Sequence, residues 1–247
     1  MKNNNKFRLD VWGAITLGTI ALYALFLLYP MAYLIRQSVM DPDTGGFTLA
    51  YFTKFFSKSY YFDTLINSFK VSITATVLSI AIGTPLAYLF TIFKIKGKGV
   101  LNILIVVASM SAPFIGAYSW ILLLGRSGVI TTFFKDLGIA IPDIYGFGGI
   151  VLVMTLQLFP LVFLYAKGAL KNIDNSLIEA AENLGCSGIV CFFKVVVPLI
   201  MPTLLAAALL VFMRSFADFG TPMLIGEGYM VLPVLVYNEY MSEILSL

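Results

Sequence analysis

Five stretches of this chain contain no Asp, Glu, Lys or Arg: Val11–Ile35, Val71–Phe93, Val100–Gly125, Ile144–Ala166 and Val195–Met213. Four of them exceed 20 residues and the last has 19. A helix rising about 1.5 Å per residue needs about 20 apolar residues to cross a hydrocarbon layer of about 30 Å. The runs therefore predict five membrane-spanning helices. Composition agrees, since 60% of the residues are hydrophobic and 12% charged, where a soluble domain is about a quarter charged. No single water-soluble core hides that excess. A barrel is excluded because the runs are too long and lack apolar-polar alternation. The expected fold is an all-α, polytopic helical bundle.

Net charge is only +3, which gives no footing for nucleic acid. Two cysteines and no histidine argue against a metal cage or a disulfide framework. Cys186 and Cys191 have neither redox-pair nor zinc-ligand spacing and read as small apolar residues. The first apolar run is too long for a signal peptide, and no small-residue cleavage site closes it.

With the N-terminus in the cytoplasm, the inner segments are Met1–Asp10, Lys94–Gly99 and Lys167–Lys194, which hold nine of the sixteen Lys and Arg. The outer segments, about twice as long in total, hold the other seven. Positive charge concentrates on inner loops, so we expect the N-terminus inside. That leaves 167–194 as a cytoplasmic loop and sends Arg214–Leu247 outward. An odd number of spans ending in an apolar tail leads us to expect a sixth helix, missing from a truncated chain.

Within that loop, Ser176 and Glu179 have capping-box spacing, and Gly185 sits where a helix ends in a left-handed turn. Leu177, Ala180 or Ala181, and Leu184 share one face of the intervening two turns. A second short helix is expected from about Ser187 to Val195, after which Pro198 and Pro202 open the fifth span. Such a piece suits insertion into a cleft of a soluble partner; it suits equally an amphipathic connector.

The pattern Glu179-Ala180-Ala181, then Gly185, then Val195, Val197 and Pro198 resembles the cytoplasmic "EAA" loop of ABC importer permeases. Val195 and Val197 stand where that family has Ile and Leu. The resemblance implies a permease domain over 65–247, with 1–64 adding a cytoplasmic tail, a first helix and an external loop. It implies that 167–194 couples to a separate ATPase, with Glu179, Ala180, Ala181, Gly185 and Pro198 at or near the contact. ATP and Mg would be bound by that partner, because no phosphate-binding loop occurs here. Further implied partners are an extracytoplasmic substrate-binding protein, a second permease half and the lipid of a prokaryotic cell membrane. The chain would be no enzyme in its own right.

For the cargo, "SFADFGTP" resembles permeases for ferric iron, and more loosely those for polyamine, sulfate or phosphonate. Iron permeases of this kind often fuse two halves, of which this chain would be one. Arg214 and Asp218 are four residues apart and would pair on a continuing helix. Arg214 is either a functional intramembrane charge or a snorkelling arginine. Ser111 and Gln157, with Arg214 and Asp218, are the candidates for lining a path. Pro85, Ser109, Pro113, Tyr118 and Pro160 are further polar or kinking positions within spans. An ion-gradient-driven transporter would want charged groups at mid-membrane, and four of the five spans have none.

Overall fold

The computed structural model describes residues 11–41, 44–93, 95–110, 112–139, 141–183 and 185–245. Among them the regular structure is helical apart from one isolated bridge between Met40 and Phe47. The chain divides into two compact units, Met1–Phe62 and Asp63–Leu247.

The first unit opens with α1 (Val11–Tyr23), a π-helical turn (Ala24–Leu28) and α2 (Tyr29–Ser38), together one run of 28 residues. The π turn has a local cause. Pro30 lacks an N–H, and the Tyr29 amide reaches back five residues to the Ala24 carbonyl. α3 (Ala50–Ser57) follows, with Phe55 stacked on Tyr61 at 5.8 Å.

The second unit is built around α4 (Ser59–Ile92), α8 (Phe147–Lys171) and α11 (Val197–Phe216). α8 is central, and its Ile150, Val153, Met154, Val162 and Phe163 are fully buried. α11 packs along it. α4 meets α8 through small residues: a Cβ on Gly83 would lie 2.9 Å from the Phe159 carbonyl oxygen and 2.9 Å from Val162 Cβ. Lipid gives helices no hydrophobic reason to associate, so close backbone packing of this kind supplies the attraction. Below it, Phe90 and Phe163 pack edge to face at 5.2 Å.

The third expected span, Val100–Gly125, is not one helix. It is α5 (Lys98–Ser109) and α6 (Pro113–Leu124), with Ala112 extended at ψ 143°. The cause is Pro113, which pushes its predecessor out of helical conformation. α7 (Val129–Asp136) follows α6. The fifth span also differs: α10 (Gly188–Cys191) runs through a π turn (Phe192–Val196) straight into α11, so the apolar helix covers Gly188–Phe216. Val197 donates to the Phe192 carbonyl, five residues back, just before Pro198, repeating the arrangement at Pro30.

The segment after α11, expected to be an apolar-ended tail without a span of its own, is helical. α12 (Gly220–Ile225) packs on α6, and α13 (Leu232–Leu245) follows. Its start is pinned to α4: Ser68 Oγ accepts the Leu232 amide at 2.7 Å, and Asn67 donates to the Met230 carbonyl at 3.1 Å.

Candidate functional site

Two places in the second unit bring the singled-out residues together. The first is the elbow between α8 and α11. α9 (Asn175–Asn183) is capped by Asp174, whose carboxylate accepts the Ser176 amide at 3.0 Å. Ser176 is therefore inside the helix, and the expected capping box is replaced by an aspartate cap. An ionised carboxylate suits the positive end of a helix better than a hydroxyl does. The hydrogen bonds from Ser176 hold the Asp174 carboxyl below its usual range.

The other end of α9 closes as expected. Gly185 has φ +85°, and the Cys186 amide donates to the Ala181 carbonyl at 3.0 Å. That is the outer bond of a Schellman turn. A Cβ at Gly185 would meet nothing within 4 Å, so glycine is required by backbone conformation and not by space.

The faces of α9 are reversed from expectation. Ile178 packs against the core and Ala181 is half-buried, whereas Leu177 and Ala180 point outward, Leu177 with 49% of its surface exposed. α9 rests on α10 and the following π turn. Leu184 and the Glu179 side chain lie outside the described residues. Pro198 is exposed one turn along the span, where its missing N–H accounts for the π turn.

The second place is a cavity of about 480 Å³ bounded by the ends of α5 and α11, the start of α6 and the middle of α8. Gln157, Arg214 and Asp218 all line it, with Ser109, Phe114 and Phe219. Ser111 lies outside the described residues. The break before Pro113 shapes this cavity, because it ends α5 at Ser109 and starts α6 beside the space.

Arg214 and Asp218 do not pair as expected. α11 stops at Phe216, and the Asp218 carboxylate turns to α12, accepting from the Gly220 amide at 2.9 Å and the Thr221 hydroxyl at 2.6 Å. An aspartate two residues before a glycine forms a local turn that competes with helix continuation. Arg214 makes no ion pair with a described residue and is exposed beside the cavity.

One cluster had no sequence signal. Arg126, after α6, pairs with Asp143 at 3.0 Å and Glu227 at 2.9 Å and lies 4.7 Å over the Tyr145 ring. It ties three loops whose members are 17 and 101 residues from it in sequence. The Asp143 and Glu227 contacts raise the Arg126 pKa further.

With this geometry in view, residues 44–245 match the sequence profile of the family described as binding-protein-dependent transport system inner membrane component. The chain belongs to that family. It is 30% identical over 251 residues to a spermidine/putrescine transport system permease protein, PotB, of Haemophilus influenzae, covering 98% of this chain and 85% of that one. It is 28% identical over 240 residues to a ferric transport system permease protein, FbpB, of Actinobacillus pleuropneumoniae, covering 96% of this chain. The chain spans 34% of the length of that ferric relative. Among solved structures, a bacterial ABC transporter importing the acidic polysaccharide alginate superposes with a TM-score of 0.68 at 16% identity, over 94% of this chain and 85% of that one. A bacterial alginate ABC transporter in complex with an alginate pentasaccharide-bound periplasmic protein gives 0.70 at 17%, over 90% of this chain and 77% of that one. The permease fold of this chain is thus shared with transporters of quite different cargo.

Proposed function

We propose that this permease is the membrane subunit of an ATP-driven importer, and that its elbow docks on a separate ATP-binding subunit. One relationship supports the reading. α9 leans on a helix that runs without interruption from Gly188 to Phe216, about 43 Å at 1.5 Å per residue. That helix ends at the cavity lined by Gln157, Arg214 and Asp218. A push on the elbow is therefore delivered at the path. Leu177 and Ala180, apolar or small and turned outward, are the groups a partner's cleft would cover; the family resemblance adds Glu179, their neighbour in sequence.

In this reading the N-terminus and the elbow face the cytoplasm of a prokaryotic cell. ATP and Mg reside on the partner, a second permease half completes the path, and an extracytoplasmic protein delivers the cargo. Ferric iron is the leading cargo, from the likeness to FbpB over nearly all of this chain. Polyamine is the second reading, favoured by PotB, whose own length is 85% covered.

The test is replacement of 174–194 by a Gly/Ser linker in a chain co-expressed with its ATP-binding subunit. Loss of that subunit on purification, with the chain still inserted, supports docking; unchanged recovery contradicts it. Uptake of radiolabelled ferric iron against spermidine, with the cognate binding protein, decides the cargo.

A further inference from the structure

The helix that enters the membrane from the elbow does not keep one register along its length. On α11, Ile200, Leu204, Ala207, Val211 and Ser215 form the buried stripe. Carried back toward the elbow at about 100° per residue, that stripe passes over Phe193 and misses Phe192 by about 100°. The structure has the reverse. Phe192 is 8% exposed and packs on Tyr88 with ring centroids 4.7 Å apart, whereas Phe193 is 65% exposed.

The π turn over Phe192–Val196 makes the exchange. Its bond from the Val197 amide to the Phe192 carbonyl spans five residues in place of four. One extra residue in a turn rotates everything before it by about 100° relative to α11. The missing N–H of Pro198 opens the way, but a proline alone does not demand such a turn: Pro85, Pro160 and Pro202 lie inside α-helices without one. What the offset secures is the seat of Phe192 on Tyr88.

We infer that this turn is a one-residue register offset that sets the rotation of the elbow about the span, with Phe192 as its positioning residue. α9 rests on α10 and on the π turn itself, so it turns with them. A rotation of about 100° carries a helix packed about 10 Å from the axis through about 15 Å, off any cleft it fitted before. The offset stands on the packing of this chain; its effect on a partner rests on the docking reading proposed above.

The experiment compares deletion of Lys194 with insertion of one alanine after it, in the full chain co-expressed with its ATP-binding subunit. Lys194 is exposed within the turn, so neither change removes a core side chain. In a plain α-helix both changes rotate the elbow by about 100°. Here the deletion converts the π turn to an α turn and leaves the setting as it was, whereas the insertion rotates it. Rotation is read by oxidative cross-linking of Tyr88→Cys with Phe192→Cys or with Phe193→Cys, in a chain also carrying Cys186→Ala and Cys191→Ala. The unaltered and deletion chains should cross-link 88 to 192 and not 88 to 193, and the insertion should lose the 88–192 product. The ATP-binding subunit should co-purify at the wild-type level with the deletion chain and be lost with the insertion chain. An unaltered chain that cross-links at 193, a deletion that loses the 88–192 product, or an insertion that keeps it overturns the inference. An insertion that loses the product yet retains the subunit contradicts the docking reading and leaves the offset standing.

Discussion

The backbone carbonyl of Ala181 accepts the amide of Cys186 at 3.0 Å across Gly185, whose φ is +85°. This single bond sets the angle between α9 and the helix that enters the membrane. Any L residue at 185 pays about 1–2 kcal/mol for the left-handed conformation, although its side chain has open space. Gly185→Ala should therefore misalign the elbow without disturbing insertion. Uptake in proteoliposomes should fall sharply while membrane-protein yield stays at the wild-type level. Full uptake would show that the turn angle does not matter.

Asp174 gives a prediction with a pH signature. Its carboxyl is held below the usual range by the Ser176 hydrogen bonds. Its contribution to the helix is complete above the ordinary carboxylate pKa and is lost as pH falls through the lowered value. Asp174→Asn keeps an acceptor and should preserve α9, whereas Asp174→Ala should fray its first turn. Hydrogen exchange at the Ser176 and Leu177 amides measures this directly. The wild type should match the Ala variant only at strongly acidic pH.

The contact at Gly83 predicts a defect in the bundle. Adding a methyl group there brings it to 2.9 Å from the Phe159 carbonyl oxygen and 2.9 Å from Val162 Cβ. Both belong to the rigid middle of α8, so the helices must separate. Gly83→Ala should cost about 1–3 kcal/mol, lowering the thermal midpoint by about 2–4 °C for each kcal/mol. Light-scattering melts in detergent check it. Gly168, where a Cβ would meet nothing within 4 Å, is the control and should tolerate alanine.

At the cavity, Asp218 and Arg214 should separate functionally, since they do not pair. Asp218→Asn keeps an acceptor for the Gly220 amide and the Thr221 hydroxyl but removes a charge from the cavity. Arg214→Gln removes the opposite charge and leaves α12 untouched. Coupled transport assays should show additive effects of the two substitutions on cargo uptake. Strong non-additivity would mean that the pair interacts during the cycle.

Much of this architecture was legible in the residues. Charge-free runs mark the spans because burying an unpaired charge in hydrocarbon is costly, and Gly185 is marked because few residues accept its conformation. What escaped the reading is set by competition between local choices. Asp174 and Ser176 both suit a helix start, and only the fold shows that the carboxylate wins. Pro113 after Ser111-Ala112 was a visible break signal inside an apolar run, yet run length alone cannot express it. Asp218 could continue α11 toward Arg214 or close a turn onto Gly220, and tertiary packing of α12 on α6 accompanies the turn. The Arg126 cluster joins residues up to 101 positions apart, which no local pattern encodes.

The docking of the elbow is tested most directly by placing a photo-crosslinking phenylalanine analogue at position 180, in cells expressing the chain with its ATP-binding subunit. Ala180 faces outward, so the probe should leave α9 intact. Irradiation should yield one dominant adduct, to a protein whose sequenced peptides contain a phosphate-binding loop. Adducts confined to lipid, or to the extracytoplasmic binding protein, would contradict the account.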